Sequence, residues 1–156
     1  MKEKILNAFK SLGFELEEID NFGHAFMYEG VNYVWMSNTD DENFLSIGVP
    51  GILDKPDEEE VPFYQLVDKF NGMLKYIKLN IVGGSLWMFY ERELFGDEED
   101  LEKIATRMIV QLEMACRYFN KLSREVQEYD GEEDEEDGSH VIISDIDVVD
   151  EEQNKE

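Results

Sequence analysis

The sequence predicts an α+β fold, an antiparallel meander sheet of five to six strands with helices mainly on one face, in the order α-β-β-β-β-α-β-β-α. Three observations predict it. Apolar residues recur at helical spacing in three segments, and between those segments they alternate at strand length. Gly, Asn and Asp mark the joins, and the connections between neighbouring strands are short enough for antiparallel pairing.

The first helix covers residues 2–12, where Ile5, Leu6, Phe9 and Leu12 share a face and Gly13 supplies the stop. Four short strands follow. Phe14 to Ile19 alternates in part, and Asn21 to Gly23 turns the chain. His24 to Glu29 is rich in aromatic residues, and Gly30 allows a tight turn. Val31 to Met36 then places Val31, Tyr33 and Trp35 on one face. Residues 38–43 form a loop by composition, and Phe44 to Val49 gives a fourth strand with Leu45, Ile47 and Val49 in register.

Pro50 to Glu60 reads as a polar break that ends in four acids, Asp57 to Glu60. These suit a helix entrance, because the macrodipole favours negative charge there. Pro62 fits the first turn, and Phe63, Leu66, Val67, Phe70, Met73, Leu74 and Ile77 follow the helical period. Ile77, Leu79 and Ile81 alternate with polar residues and lead to Gly83-Gly84, beyond which Leu86 to Tyr90 is apolar on both faces. The two runs make a hairpin, and its second strand is expected to be central or covered on both sides. Asp97, with Asp100 three residues on, opens the last helix in the manner of a capping box. Its stripe runs from Leu101 through Ile104, Ala105, Met108, Leu112, Ala115, Cys116, Phe119 and Leu122 to Val126.

These boundaries divide the chain into a folded domain, residues 1–127, and an acidic tail, residues 128–156. The tail carries 14 acids and one base, Lys155, and the remainder 24 acids and 13 bases, within a total net charge of −24. Such a field repels phosphate backbones and anionic lipid, so neither nucleic acid nor membrane is expected as a partner. Glu132 to Asp137 is an unbroken acidic block with no means of burying surface, which predicts disorder. Inside the tail lies a β-branched island, residues 141–149, a candidate short strand suited to adding to a sheet edge.

The order of elements resembles the type III secretion chaperone-like fold and, within it, the YbjN-type group of small bacterial proteins. The segment from Phe63 to Leu122 carries the resemblance. An amphipathic helix there ends in Phe70-Asn71, an apolar strand (Ile77 to Ile81) leads to Gly83-Gly84, and a second strand precedes the acid-opened helix at Asp97. The resemblance covers about residues 1–127 and leaves out the tail. It implies a five- or six-stranded sheet, helices largely on one side, no catalytic residues, a homodimer, and binding of extended protein segments.

The chemistry-bearing residues support no enzyme. Cys116 lies on an apolar stripe and is expected to be an inert buried thiol. His24 and His140 lack a second ligand at metal spacing, so no metal is expected. Asp145, Asp147 and Asp150 lack the glycine and glutamate of a calcium loop, and Gly83-Gly84 has no phosphate-loop context. No cofactor is implied. The expected function is therefore a non-enzymatic protein-binding domain, chaperone-like or adaptor/regulatory, acting through a sheet face or edge. The alternative is an acidic mimic or antagonist of a basic nucleic-acid-binding surface. Candidate partner-binding residues are Val141, Ile142, Ile143, Ile146 and Val148 in the tail, and Trp35 and Trp87 in the sheet. No apolar run long enough to span a membrane occurs, the N-terminus does not read as a signal peptide, and a lone cysteine gives no disulfide; the expected location is cytoplasmic.

Overall fold

The computed structural model describes residues 1–38 and 40–132, the last six by their backbone alone. The 141–149 island and most of the acidic tail lie outside the described residues. Nine elements occur in the expected order: α1 (Lys2–Ser11), β1 (Glu17–Ile19), β2 (Gly23–Tyr28), β3 (Val31–Trp35), β4 (Phe44–Asp54), α2 (Glu60–Met73), β5 (Ile77–Val82), β6 (Ser85–Glu93) and α3 (Leu101–Glu132). The six strands form one antiparallel sheet in the order β1-β2-β3-β4-β6-β5. The chain divides into two compact units, Met1–Phe119 and Asn120–Glu156. The sheet belongs wholly to the first. In the second, the helix of α3 continues to Glu132, and Lys121 pairs with Glu125 one turn on, at 3.9 Å.

Cross-strand register assigns the faces, since residues directly opposite point the same way. One face carries Phe26, Tyr33, Trp35, Leu45, Ile47, Val49, Leu86, Met88, Tyr90, Ile77 and Leu79, all buried. The helices lie on it. Phe9 of α1 stacks on Trp35 at 5.4 Å and meets Phe26 at 5.1 Å, while Cys116 of α3 touches Met88 at 3.8 Å. From α2, Phe70 is edge-on to Phe119 at 5.7 Å. Burial of these aromatic and branched side chains supplies the main stabilisation, about 1.5–3 kcal/mol for each large apolar side chain.

Local chemistry fixes the ends. Helix α1 closes with a Schellman pair: Gly13 N–H donates to Lys10 and Phe14 N–H to Phe9, and the rings of Phe9 and Phe14 sit 6.1 Å apart. The first strand is consequently shorter than expected, beginning at Glu17 because Phe14 is used in this cap and packs on Phe26 at 4.9 Å. Gly83 (φ 58°) and Gly84 (φ 82°) both take the left-handed conformation that a two-residue hairpin turn needs, with Val82 opposite Ser85.

Three further boundaries depart from expectation. β4 does not break at Pro50. It runs to Asp54 because a bulge between Val49 and Leu53 absorbs the proline, which has no N–H to give the ladder, and pairing resumes at Leu53 with Leu86. Helix α2 stops at Met73 although Leu74 and Ile77 continue its period. Tyr76 has a left-handed φ of 66°, and Ile77 becomes the first residue of β5. The cap of α3 is Asp100, not Asp97: its carboxylate accepts from Lys103 N–H at 2.9 Å. Glu98, the neighbouring acid, accepts from the N–H groups of Phe95 (2.6 Å) and Gly96 (2.9 Å), and these bonds hold its carboxyl below the usual range.

Candidate protein-interaction surface

The other face of the sheet carries no helix. Its register places Ala25, Met27, Asn32, Val34, Ser46, Gly48, Lys78, Asn80, Trp87, Phe89 and Glu91 there. Alternation makes this inevitable in β6, since a strand apolar on both faces must direct Trp87 and Phe89 away from the helices. Phe89 packs closely over β4 at Gly48, where an added Cβ would meet its ring at 3.0 Å. Trp87 stacks on Phe89 at 5.9 Å. Phe22, from the turn between β1 and β2, reaches across to meet Trp87 edge-on at 5.2 Å. The sheet therefore curls, and its helix-free face is concave.

That curl rests on close backbone contact at the start of β2. Gly23 is pressed against Trp35, whose carbonyl oxygen is 2.0 Å from where a Cβ would sit, and Asn38 N–H donates to Phe22. His24 stacks on Trp35 at 5.1 Å, and its Nδ1 lies 2.7 Å from the Ser37 hydroxyl. It is a structural histidine on the helix side rather than a residue of the open face.

β6 is an interior strand, between β4 and β5, as expected, and its helix-free side is only partly covered. Phe89 is 6% exposed under Phe22 and Trp87, but Trp87 itself is half-buried, and Met27 (63%) and Phe44 (41%) are open. Beside them, Met36, Asp41, Phe44, Ser46, Asn80, Phe89 and Glu91 line an open groove of about 700 Å³. Glu91 receives the Ser46 hydroxyl at 3.4 Å and pairs with Lys78 at 2.9 Å.

Strand edges offer less. β1 is three residues long and shows Glu17 and Glu18 to solvent. At the opposite edge, the side chain of Asn71 bonds both backbone groups of Leu79, accepting from its N–H at 2.7 Å and donating to its carbonyl at 3.2 Å. An amide in that position mimics a paired strand and blocks the middle of the β5 edge.

Of the sequence-derived site residues, Trp87 lies on the open face. Trp35 is 2% exposed, stacked between Phe9 and His24, and so belongs to the core. Val141, Ile142, Ile143, Ile146 and Val148 lie outside the described residues. Phe22, Phe44 and Met27 were missed. Their signal was weak: Phe22 stands in a turn, and Phe44 and Met27 occupy the polar-side positions of strands whose other residues are equally apolar.

The remaining groups are structural. Burial pushes the Cys116 thiol up to about 11, with Glu113 adding to it, which leaves the sulfur protonated at neutral pH. Tyr33 is fully buried with its hydroxyl unpartnered among the described residues, and burial raises its phenol well above the usual value. Among the described residues no group of three or more His, Cys, Asp or Glu side chains is placed to hold a metal ion, and no helix is long and apolar enough to cross a membrane.

No family model matches the chain, and no curated protein matches it at a significant level. Among solved structures it is similar to the crystal structure of "YbjN, a putative transcription regulator from E. coli", with a TM-score of 0.53 at 13% identity, over 76% of this chain and 90% of that one. The likeness supports a YbjN-like fold. It does not reach the wider relation to secretion chaperones expected from the order of elements.

Proposed function

We propose that this chain is a non-enzymatic, regulatory or adaptor domain that binds another protein through the helix-free face of its sheet. The observation that carries the reading is the concave apolar surface built by Phe22, Trp87, Phe89, Met27 and Phe44 on a sheet whose other face is already filled by helices. Half-buried aromatic side chains gathered in a concavity are the usual anchors of protein interfaces. The blocked β5 edge and the short acidic β1 edge favour the face over strand addition. A regulatory role is compatible with the description of YbjN, and for a chain of net charge −24 such regulation would run through a protein surface rather than through DNA. A homodimer formed by this face is the competing occupant.

Site-specific photo-crosslinking tests the reading. A benzophenone side chain at Met27 or Phe44 is expected to trap the same polypeptide from an extract of the source cells, while one at Val61 or Met114, both exposed on helices, traps none of it. Equal capture from the helical positions would overturn the assignment to the sheet face, and capture of a second copy of this chain alone would make the face a dimer contact.

A further inference from the structure

We propose that the exposed stripe of α3 is a second docking surface, for a helical protein segment that carries acidic residues on either side of an apolar pair. Lys103, Arg107, Val110, Met114 and Arg117 recur at alternating spacings of four and three, which aligns them along one side of the helix. All five are exposed, Val110 at 36% and Met114 at 63%. The core row of the same helix is a different one, running through Ala105, Met108, Leu112, Ala115 and Phe119. Charge sets the exposed stripe apart. Residues 103–124 hold five bases, Lys103, Arg107, Arg117, Lys121 and Arg124, and one acid, Glu113, in a chain of net charge −24. Glu113 pairs with Arg117 at 2.5 Å and leaves that arginine 76% exposed. Lys103 and Arg107 make no ion pair among the described residues.

Complementarity decides the occupant. A second copy, paired parallel or antiparallel along the stripe, would set bases against bases. A phosphate backbone has no use for the apolar pair at the centre, and a long polyanion or an anionic bilayer meets the field of the whole chain. A short acidic helix avoids both penalties. The alternating spacing gives it a seam, Val110 and Met114 take its apolar side chains, and the bases at either end take its carboxylates. Acids of this chain beyond about 8 Å are screened from it at physiological salt. From Lys103 to Arg117 the stripe is about 21 Å long, about four turns of a partner helix. Such a segment belongs to a different polypeptide from the one assigned to the sheet face.

The test uses the full chain and two fluorescein-labelled, alanine-rich peptides of about twenty residues. Both carry leucine at the two central seam positions, with either glutamate or glutamine at the seam positions beyond. Binding is followed by anisotropy at about 150 mM salt, where diffuse surface attraction is largely screened. The glutamate peptide is expected to bind about tenfold more tightly, since each exposed ion pair contributes only about two- to threefold. Lys103→Gln with Arg107→Gln should remove most of that preference. Lys4→Gln with Lys75→Gln, exposed bases outside α3, should leave it within about twofold. Met114→Ala should weaken both peptides, and Trp87→Ala neither. Equal loss in the two double variants would reduce the effect to general charge and overturn the proposal. Equal binding of the two peptides, or failure of both to bind at about 1 mM, would overturn it too. A loss on Trp87→Ala would move the contact to the sheet face, whose own reading stands or falls separately on capture at Met27 and Phe44. Tighter binding through the same bases of an oligothymidylate of about twenty bases, or of vesicles about one-third phosphatidylserine, would assign the stripe to phosphate instead. A concentration-dependent dimer lost in Met114→Ala would assign it to a second copy. Circular dichroism on each variant separates loss of binding from loss of fold.

Discussion

Cys116 shows how position overrides reactivity. Its thiol is half-buried against Met88 and raised to about 11 from an ordinary 9.0, so the folded state favours the protonated form. The contribution to stability is complete below pH 9 and disappears as pH rises from about 9 to 11, a loss on the order of 2 kcal/mol. Denaturant titrations should therefore show a steeper alkaline fall in the wild type than in Cys116→Ala; parallel curves would contradict the burial assigned here. Gly23 makes the complementary case for backbone. An added methyl would collide with the Trp35 carbonyl, which no rotamer change can move, so Gly23→Ala is expected to cost at least about 3 kcal/mol. Gly48→Ala presses only on the ring of Phe89 and should cost less, which thermal melts of the two variants can compare. Single residues were also where the sequence was hardest to read. Trp35 and Trp87 look alike in alternation, yet one lies under α1 and the other on the open face. Alternation separates two faces without saying which one the helices will cover, because Val34 and Phe89 are as apolar as Tyr33 and Met88.

At the scale of elements, far more was legible. The helical stripes of α1, α2 and α3, the glycine hairpin and the strand pairings all follow from periodicity and turn chemistry. The errors fall where the local rule is not the one that decides: a bulge carries β4 past Pro50, a left-handed Tyr76 ends the period of α2, and the α3 cap falls on Asp100 rather than Asp97. Asn71 is the residue that periodicity could not interpret. It stands in a helix, but its amide completes the hydrogen bonding of an edge strand. Asn71→Ala leaves two backbone groups of Leu79 without partners and is expected to destabilise by about 1–3 kcal/mol. It should also make the protein prone to concentration-dependent association through β5, measurable by light scattering. A variant that lost stability but stayed monomeric at every concentration would mean that the edge needs no guard.

For the whole molecule, the arrangement is asymmetric: one sheet face is filled by helices, and the other is curled over its own aromatic residues and left partly open. The chain carries a net charge of −24, and on the proposed reading that field favours a basic partner over nucleic acid or anionic lipid. This asymmetry makes the open face the place where binding can occur without disturbing the core. The most direct check is the affinity of a face-captured partner for Trp87→Ala, compared with that for Val61→Ala. Trp87 is half-buried at the centre of the concavity, and Val61 is exposed on α2. Loss of a central aromatic anchor should weaken binding by about 2 kcal/mol, roughly thirtyfold, with Val61→Ala unchanged. Equal affinities for the two variants would contradict the assignment of the interface to the helix-free face.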